Sequence, residues 1–148
     1  MIARISFITT LSIISFTLTG CFGLFDSSSD TIVGPYKVMW IDLPEQQFIC
    51  QQSEQYSTSF HVLVPEYVFA VGHDDNFIIA KQHPTAGFED DFKIDASVTQ
   101  YYIIDTNVKS EATGAKVFGP LTKAEFDSKR KEFRIEGIKF ELAYADVP

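Results

Sequence analysis

Two short segments are apolar at every position: Val68-Phe69-Ala70-Val71 and Tyr101-Tyr102-Ile103-Ile104. Each is short, β-branched and aromatic, which reads as a strand rather than a helix. A strand that is apolar on both of its alternating faces must be covered on both sides. One strong helix signature lies further along the chain, and one helix covers only part of one face. The two requirements together predict an α+β fold. In it, a curved antiparallel β-sheet meander of about six to eight strands folds on itself, and one C-terminal amphipathic helix closes what is left. The 14 Phe and 6 Tyr residues supply the bulk of such a core.

The other strands follow from the same signals. Gly34-Pro35 opens Tyr36 to Leu43, and Pro44-Glu45 turns the chain into a weaker strand over Gln46 to Gln51. Thr58 to Val64 is stopped by Pro65. Tyr67 to Gly72 and Phe77 to Gln82 flank the polar His73-Asp74-Asp75-Asn76 and form a hairpin. His83 to Ala96, with Pro84, Gly87 and an acidic run, reads as a loop. Thr99 to Asp105 is a strand, and Asn107 to Ala115 is a polar turn region leading to Lys116-Val117-Phe118-Gly119. Thr122 and Glu125 have capping-box spacing, and Leu121 and Phe126 are placed as a hydrophobic staple. The helix body runs from Lys123 to Arg134, with Phe126 and Phe133 on one face and Gly137 as the stop. Lys129, Arg130 and Lys131 near its end oppose the helix dipole favourably. Ile138 to Tyr144 is a last strand.

The first twenty residues are of a different kind. Arg4 is their one charged side chain, and Ile5 to Leu18 is mostly apolar with seven interleaved Ser and Thr residues. A basic start, a short apolar stretch and then small residues describe a signal peptide. The stretch falls short of the ~20 residues that cross the hydrocarbon core as a helix. Leu18-Thr19-Gly20-Cys21 then resembles the bacterial lipobox. That resemblance implies cleavage between Gly20 and Cys21 and acylation of Cys21, palmitate-type chains included. A thiol is the nucleophile that lipid can alkylate, and more than one acyl chain gives stable attachment. Residue 22 is Phe and not Asp, so the resemblance favours the outer membrane where the host has two. The organisation expected is a signal peptide over 1–20, a lipidated Cys and Ser/Asp-rich flexible tether over 21–31, and a single domain over 32–148.

Charge and motifs exclude several function classes. Twelve basic and 20 acidic residues give a formal net charge of -8, and loss of residues 1–20 makes it -9. That balance opposes binding to nucleic acid, which depends on Lys and Arg at phosphates. Two cysteines make no disulfide framework. His73, Asp74 and Asp75 form the tightest cluster of ligand-type side chains, but a tight turn also selects Asp and Asn for their backbone angles. Glu89, Asp90, Asp91 and Asp95 match no calcium-loop frame and read as a solvated loop or a contact for a basic partner. Cys50, in Phe48-Ile49-Cys50, reads as a small core residue rather than a thiolate. No nucleophile elbow, phosphate-cradling loop or zinc-ligand spacing occurs, so no cofactor, metal or catalytic residue is assigned.

Several segments in order resemble a family of uncharacterised small bacterial lipoproteins. They are Asp74-Asp75-Asn76-Phe77-Ile78-Ile79-Ala80-Lys81-Gln82, then Tyr101-Tyr102-Ile103-Ile104-Asp105, then Phe118-Gly119-Pro120-Leu121-Thr122 with Glu125-Phe126. The resemblance covers roughly the C-terminal half plus the lipobox. It implies one lipid-anchored domain and no activity.

The functional expectation is a non-enzymatic cell-envelope protein, held to the membrane through lipid on Cys21. The alternative is an inhibitor or immunity-like binder of a basic toxin or cell-wall hydrolase, since complementary charge speeds association. Candidate partner or cation contacts are His73, Asp74, Asp75, Asp90 and Asp91.

Overall fold

The computed structural model describes residues 27–53, 59–87, 93–107 and 115–144. Among them are eleven strands and one helix. Strands β1 (Ser27–Val33), β2 (Tyr36–Ile41), β3 (Phe48–Gln52) and β4 (Phe60–Val64) form an antiparallel four-stranded meander. Strands β5 (Val68–His73), β6 (Phe77–Gln82), β9 (Gln100–Asp105), β10 (Lys116–Leu121) and β11 (Leu142–Ala143) form a five-stranded antiparallel sheet in the order β10-β9-β6-β5-β11. A small hairpin of β7 (Thr85–Ala86) and β8 (Lys93–Ile94) is inserted between β6 and β9. Helix α1 spans Lys123–Phe133.

The α+β fold expected from the sequence is present, and both faces of the doubly apolar strands are covered. Ile78 pairs with Ile104 and Ile79 with Ile103 across β6 and β9. Ile78, Ala80, Tyr102 and Ile104 face the first sheet, where they meet Tyr36, Val38, Ile49 and Val64. Ile79 and Ile103 point the other way, under α1, and meet Phe126, Ile135 and Ile138. The order is therefore sheet, sheet, helix. The cover opposite the helix is a separate open sheet, β1–β4, which the chain leaves by turning at Pro65-Glu66 after β4. This and the β7–β8 insert raise the strand number above the expected range.

Local chemistry explains where elements start and stop. Gly34, at φ 54, and Pro35 form a two-residue hairpin loop closed by the pair Val33↔Tyr36, a position that favours Gly first. Thr122 caps α1 as its spacing predicts: its hydroxyl accepts from Glu125 N, and its own N donates to Glu125 Oε2 at 2.8 Å. Leu121, the last residue of β10, packs with Phe126, so strand runs into helix without a loop.

Four expectations need correction. Ser27–Asp30, expected in the tether, pair with β2 as an edge strand; edge pairing needs only backbone groups and no buried side chain. The helix stops at Phe133, with Arg134 rather than Gly137 in the left-handed conformation (φ 58), because Ile135 and Ile138 must turn back beneath the helix to be buried. His83 to Ala96 is not wholly loop, since β7 and β8 pair within it. The last strand shrinks to Leu142–Ala143, where only Val71 and Ala70 are met as partners.

Candidate functional site

The turn between β5 and β6 is built by Asp74. Its Oδ1 accepts from Asn76 N at 2.8 Å and Phe77 N at 2.7 Å, while Asp74 N donates to Phe77 O. Thr106 locks the turn from the next loop, donating through N and Oγ1 to Asn76 O. The carboxylate is thus occupied by backbone amides, which is the turn role its residue type suggests. His73 and Asp75 beside it are exposed.

A second segment closes against this hairpin. After Arg134 the chain runs through Ile135–Glu141 and lies directly on β5, where Glu141 N donates to Val71 O at 3.1 Å. Gly72 makes this approach feasible, since a Cβ there would stand 1.9 Å from Lys139 O. Arg130 holds the segment from the helix. Its guanidinium donates to the carbonyl oxygens of Ile135 at 3.2 Å, Glu136 at 2.6 Å and Ile138 at 2.5 Å. These donors satisfy carbonyls that the helix end and the following turn leave open.

Between hairpin and segment lies an open groove of about 250 Å³. It is lined by His73, Asp74, Arg134, Ile135, Gly137, Ile138, Lys139 and Glu141. The arrangement offers one imidazole, two cations and one carboxylate not spent on the turn, around an apolar floor from Ile135 and Ile138. Such a mixed-charge groove suits polar contact with a peptide or small ligand.

The other sequence candidates are dispersed. His83 is at the far end of β6 from the turn, buried, stacked on Phe69 with centroids 4.4 Å apart, and 2.7 Å from Val98 O through Nδ1. His61 is exposed on β4. Among the described residues no group of three or more His, Cys, Asp or Glu stands together as a metal cluster. Cys50 is buried against Met39, with Sγ and Sδ 3.2 Å apart. Burial pushes its thiol up to about 11, against the opposing pull of Lys37 across the strand pair. Asp95 accepts from Ser97 N and Oγ and so serves a turn. Gly20, Cys21, Asp90 and Asp91 lie outside the described residues.

Sequence reasoning found His73 and Asp74 but missed Arg134, Lys139 and Glu141, which the fold brings to them. The one available signal was Gly72, a glycine in an otherwise apolar strand, which marks close backbone approach.

Residues 33–147 match a family described as "Protein of unknown function (DUF3997)". No curated protein and no solved structure matches the chain.

Proposed function

We propose that this chain, which belongs to the DUF3997 family of proteins of unknown function, is a lipid-anchored cell-envelope protein. In this reading it has no catalytic activity and presents its β-rich domain for contact with a partner or ligand. The observation that carries the proposal is the position of Leu18-Thr19-Gly20-Cys21 behind a signal-like apolar stretch, only six residues ahead of the first strand at Ser27. Supporting it, the side chains best suited to chemistry have structural work in the fold: Asp74 in a turn, His83 in a stack, Cys50 in a core. The groove beside His73 is the contact site we assign. By the residue after Cys21, the outer membrane is the expected location where two membranes exist.

The test is fractionation of cells expressing the wild type and Cys21→Ala. The wild type is expected in the membrane fraction, carrying a metabolically incorporated acyl label. The variant is expected unlabelled and out of that fraction. A Cys21→Ala protein that stays with the membrane would overturn the reading.

A second reading is favoured by the charge distribution. Of the 20 acidic residues, 14 precede Lys116, whereas seven of the eleven basic residues after Cys21 lie from Lys116 onwards. Net charge after Cys21 is thus -10 before Lys116 and +1 from there on, and the net-negative part suits a basic envelope-acting toxin or hydrolase, which an inhibitor or immunity-like protein would bind. Capture from the native envelope should then yield one basic partner, lost steeply as salt rises. Capture that is indifferent to salt would count against it.

A further inference from the structure

Five large apolar side chains are exposed among the described residues. Val62 (51%) and Phe60 (38%) lie along β4, whereas Ile41 (42%), Leu43 (46%) and Val98 (41%) share one end of the domain. Ile41 is the cross-strand partner of Ser27, the first described residue. Leu43 follows one turn later, where Asp42 takes φ 70 and Leu43 N donates to Ile41 O at 2.9 Å. Val98 belongs to the same end through a run of contacts. Gln46 bonds Tyr67, Val68 N donates to Gln47 O, His83 N donates to Tyr67 O, and His83 meets Val98 O. The hairpin turn at Asp74–Asn76 is at the other end, beyond the length of β5 and β6.

The length of chain before Ser27 bears directly on this end. Six residue steps separate Cys21 from Ser27. Fully extended they reach about 20 Å at most. A domain of this size is roughly 35 Å across. If Cys21 is held at the glycerol level of a bilayer, the tether is too short for the domain to turn its Asp74 end to the lipid. It is long enough to let the Ile41 end settle onto it.

We infer that Ile41, Leu43 and Val98 form a membrane-facing rim that seats the domain on the phospholipid bilayer carrying its own anchor, an inference that rests on the lipidation of Cys21. Apolar side chains of this size insert at the boundary of headgroups and acyl chains. Asp42, Glu45 and Asp95 share the end and suit the ammonium groups of zwitterionic lipids rather than an anionic surface. The groove beside His73 is then held away from the membrane, open to partners.

Trp40 is the only tryptophan; it precedes Ile41 at the same end of β2, paired with Ser28, half-buried and on the opposite face of the strand, so it stands near this rim without forming it. The protein purified with its lipid is reconstituted in phosphatidylcholine vesicles, with or without brominated acyl chains. Vesicle flotation reads anchoring separately. Bromination is expected to lower Trp40 emission about twofold, as contact at the interface requires. A reporter at the far end, Asn76→Trp in a Trp40→Phe background, is expected to lose little. Ile41→Glu with Leu43→Glu, both at exposed positions, should still float and keep the far-ultraviolet circular dichroism of the wild type, yet lose the quenching of Trp40. Wild type that floats with Trp40 quenched no more than the Asn76→Trp reporter overturns the seating and leaves the anchor intact. Wild type that does not float overturns the anchor and the seating with it.

Discussion

Arg130 is the residue on which the groove most depends, and its removal has a calculable cost. Its guanidinium reaches three carbonyls of the segment after α1, and it also lies 5.4 Å from the Phe126 ring centroid. Arg130→Met keeps an apolar stem over Phe126 and deletes every one of those donors. Hydrogen bonds to a charged donor contribute roughly 1.5–3 kcal/mol net, and here the site is partly open to water, so a loss of about 2 kcal/mol is expected. At this chain length 1 kcal/mol moves the melting midpoint by about 4 °C, so Tm should fall by about 8 °C. Arg130→Lys keeps the charge at the helix C-terminus but offers a compact donor in place of the fork, and should recover less than half of the loss. Calorimetry reads the stability, and amide hydrogen exchange reads its location. Ile138 N and Glu141 N donate within or from the clamped segment, so their protection should drop more than that of the β6–β9 ladder. If Arg130→Met melts within a degree of wild type and the Ile138 and Glu141 amides keep their protection, the clamp holds nothing and the reasoning fails.

Three further outcomes are expected. Thr122→Ala should cost about 1 kcal/mol in a melting experiment, because it removes the cap of α1. Hydrogen bonds from the Thr122 side chain and backbone hold the Glu125 carboxyl below its ordinary 4.5, so this part of the cap is complete above that pH and fades as pH falls through the lower folded value. The gap between wild type and Thr122→Ala should therefore narrow below pH 4.5; a gap constant down to pH 2 would contradict the carboxylate's part in it. Gly72→Ala places a methyl against Lys139 O and should destabilise by about 2 kcal/mol while freeing the Glu141 amide to exchange, and full protection of that amide would show that β5 has room to spare. Cys50, buried and pushed up to about 11, should alkylate slowly at pH 8 in the native Cys21→Ala protein and quickly in denaturant; equal rates would mean that the strand opens freely.

Much of the architecture was legible because it is written in local patterns. Val68–Val71 and Tyr101–Ile104 are apolar throughout, and that alone requires cover on two sides. The Thr122/Glu125 spacing and the Leu121–Phe126 staple are short-range chemistry, so the helix start needs no knowledge of the rest of the fold. Helix ends are less determined. Gly137 is the better intrinsic stop, yet Arg134 takes the left-handed turn, because burial of Ile135 and Ile138 outweighs a backbone penalty of roughly 1–2 kcal/mol. Ser27–Asp30 looked like a tether because composition speaks of burial, and an edge strand with exposed side chains buries nothing.

The groove is of another kind. His73 and Asp74 come from a hairpin turn; Arg134, Lys139 and Glu141 come from a segment some sixty residues later. No periodicity connects them. What joins them is the missing side chain of Gly72, the backbone contact it permits, and the fork of Arg130 that holds the arriving strand in place. Each of these serves stability first, and in doing so fixes the spacing between two cations, an imidazole and a free carboxylate. It follows that groove and stability should be separable by substitution. Changes at Lys139 and Glu141, both exposed, should leave the melting point within about 0.5 kcal/mol of wild type. The same changes should weaken whatever contact the groove makes, whereas changes at Arg130 or Gly72 should weaken both together.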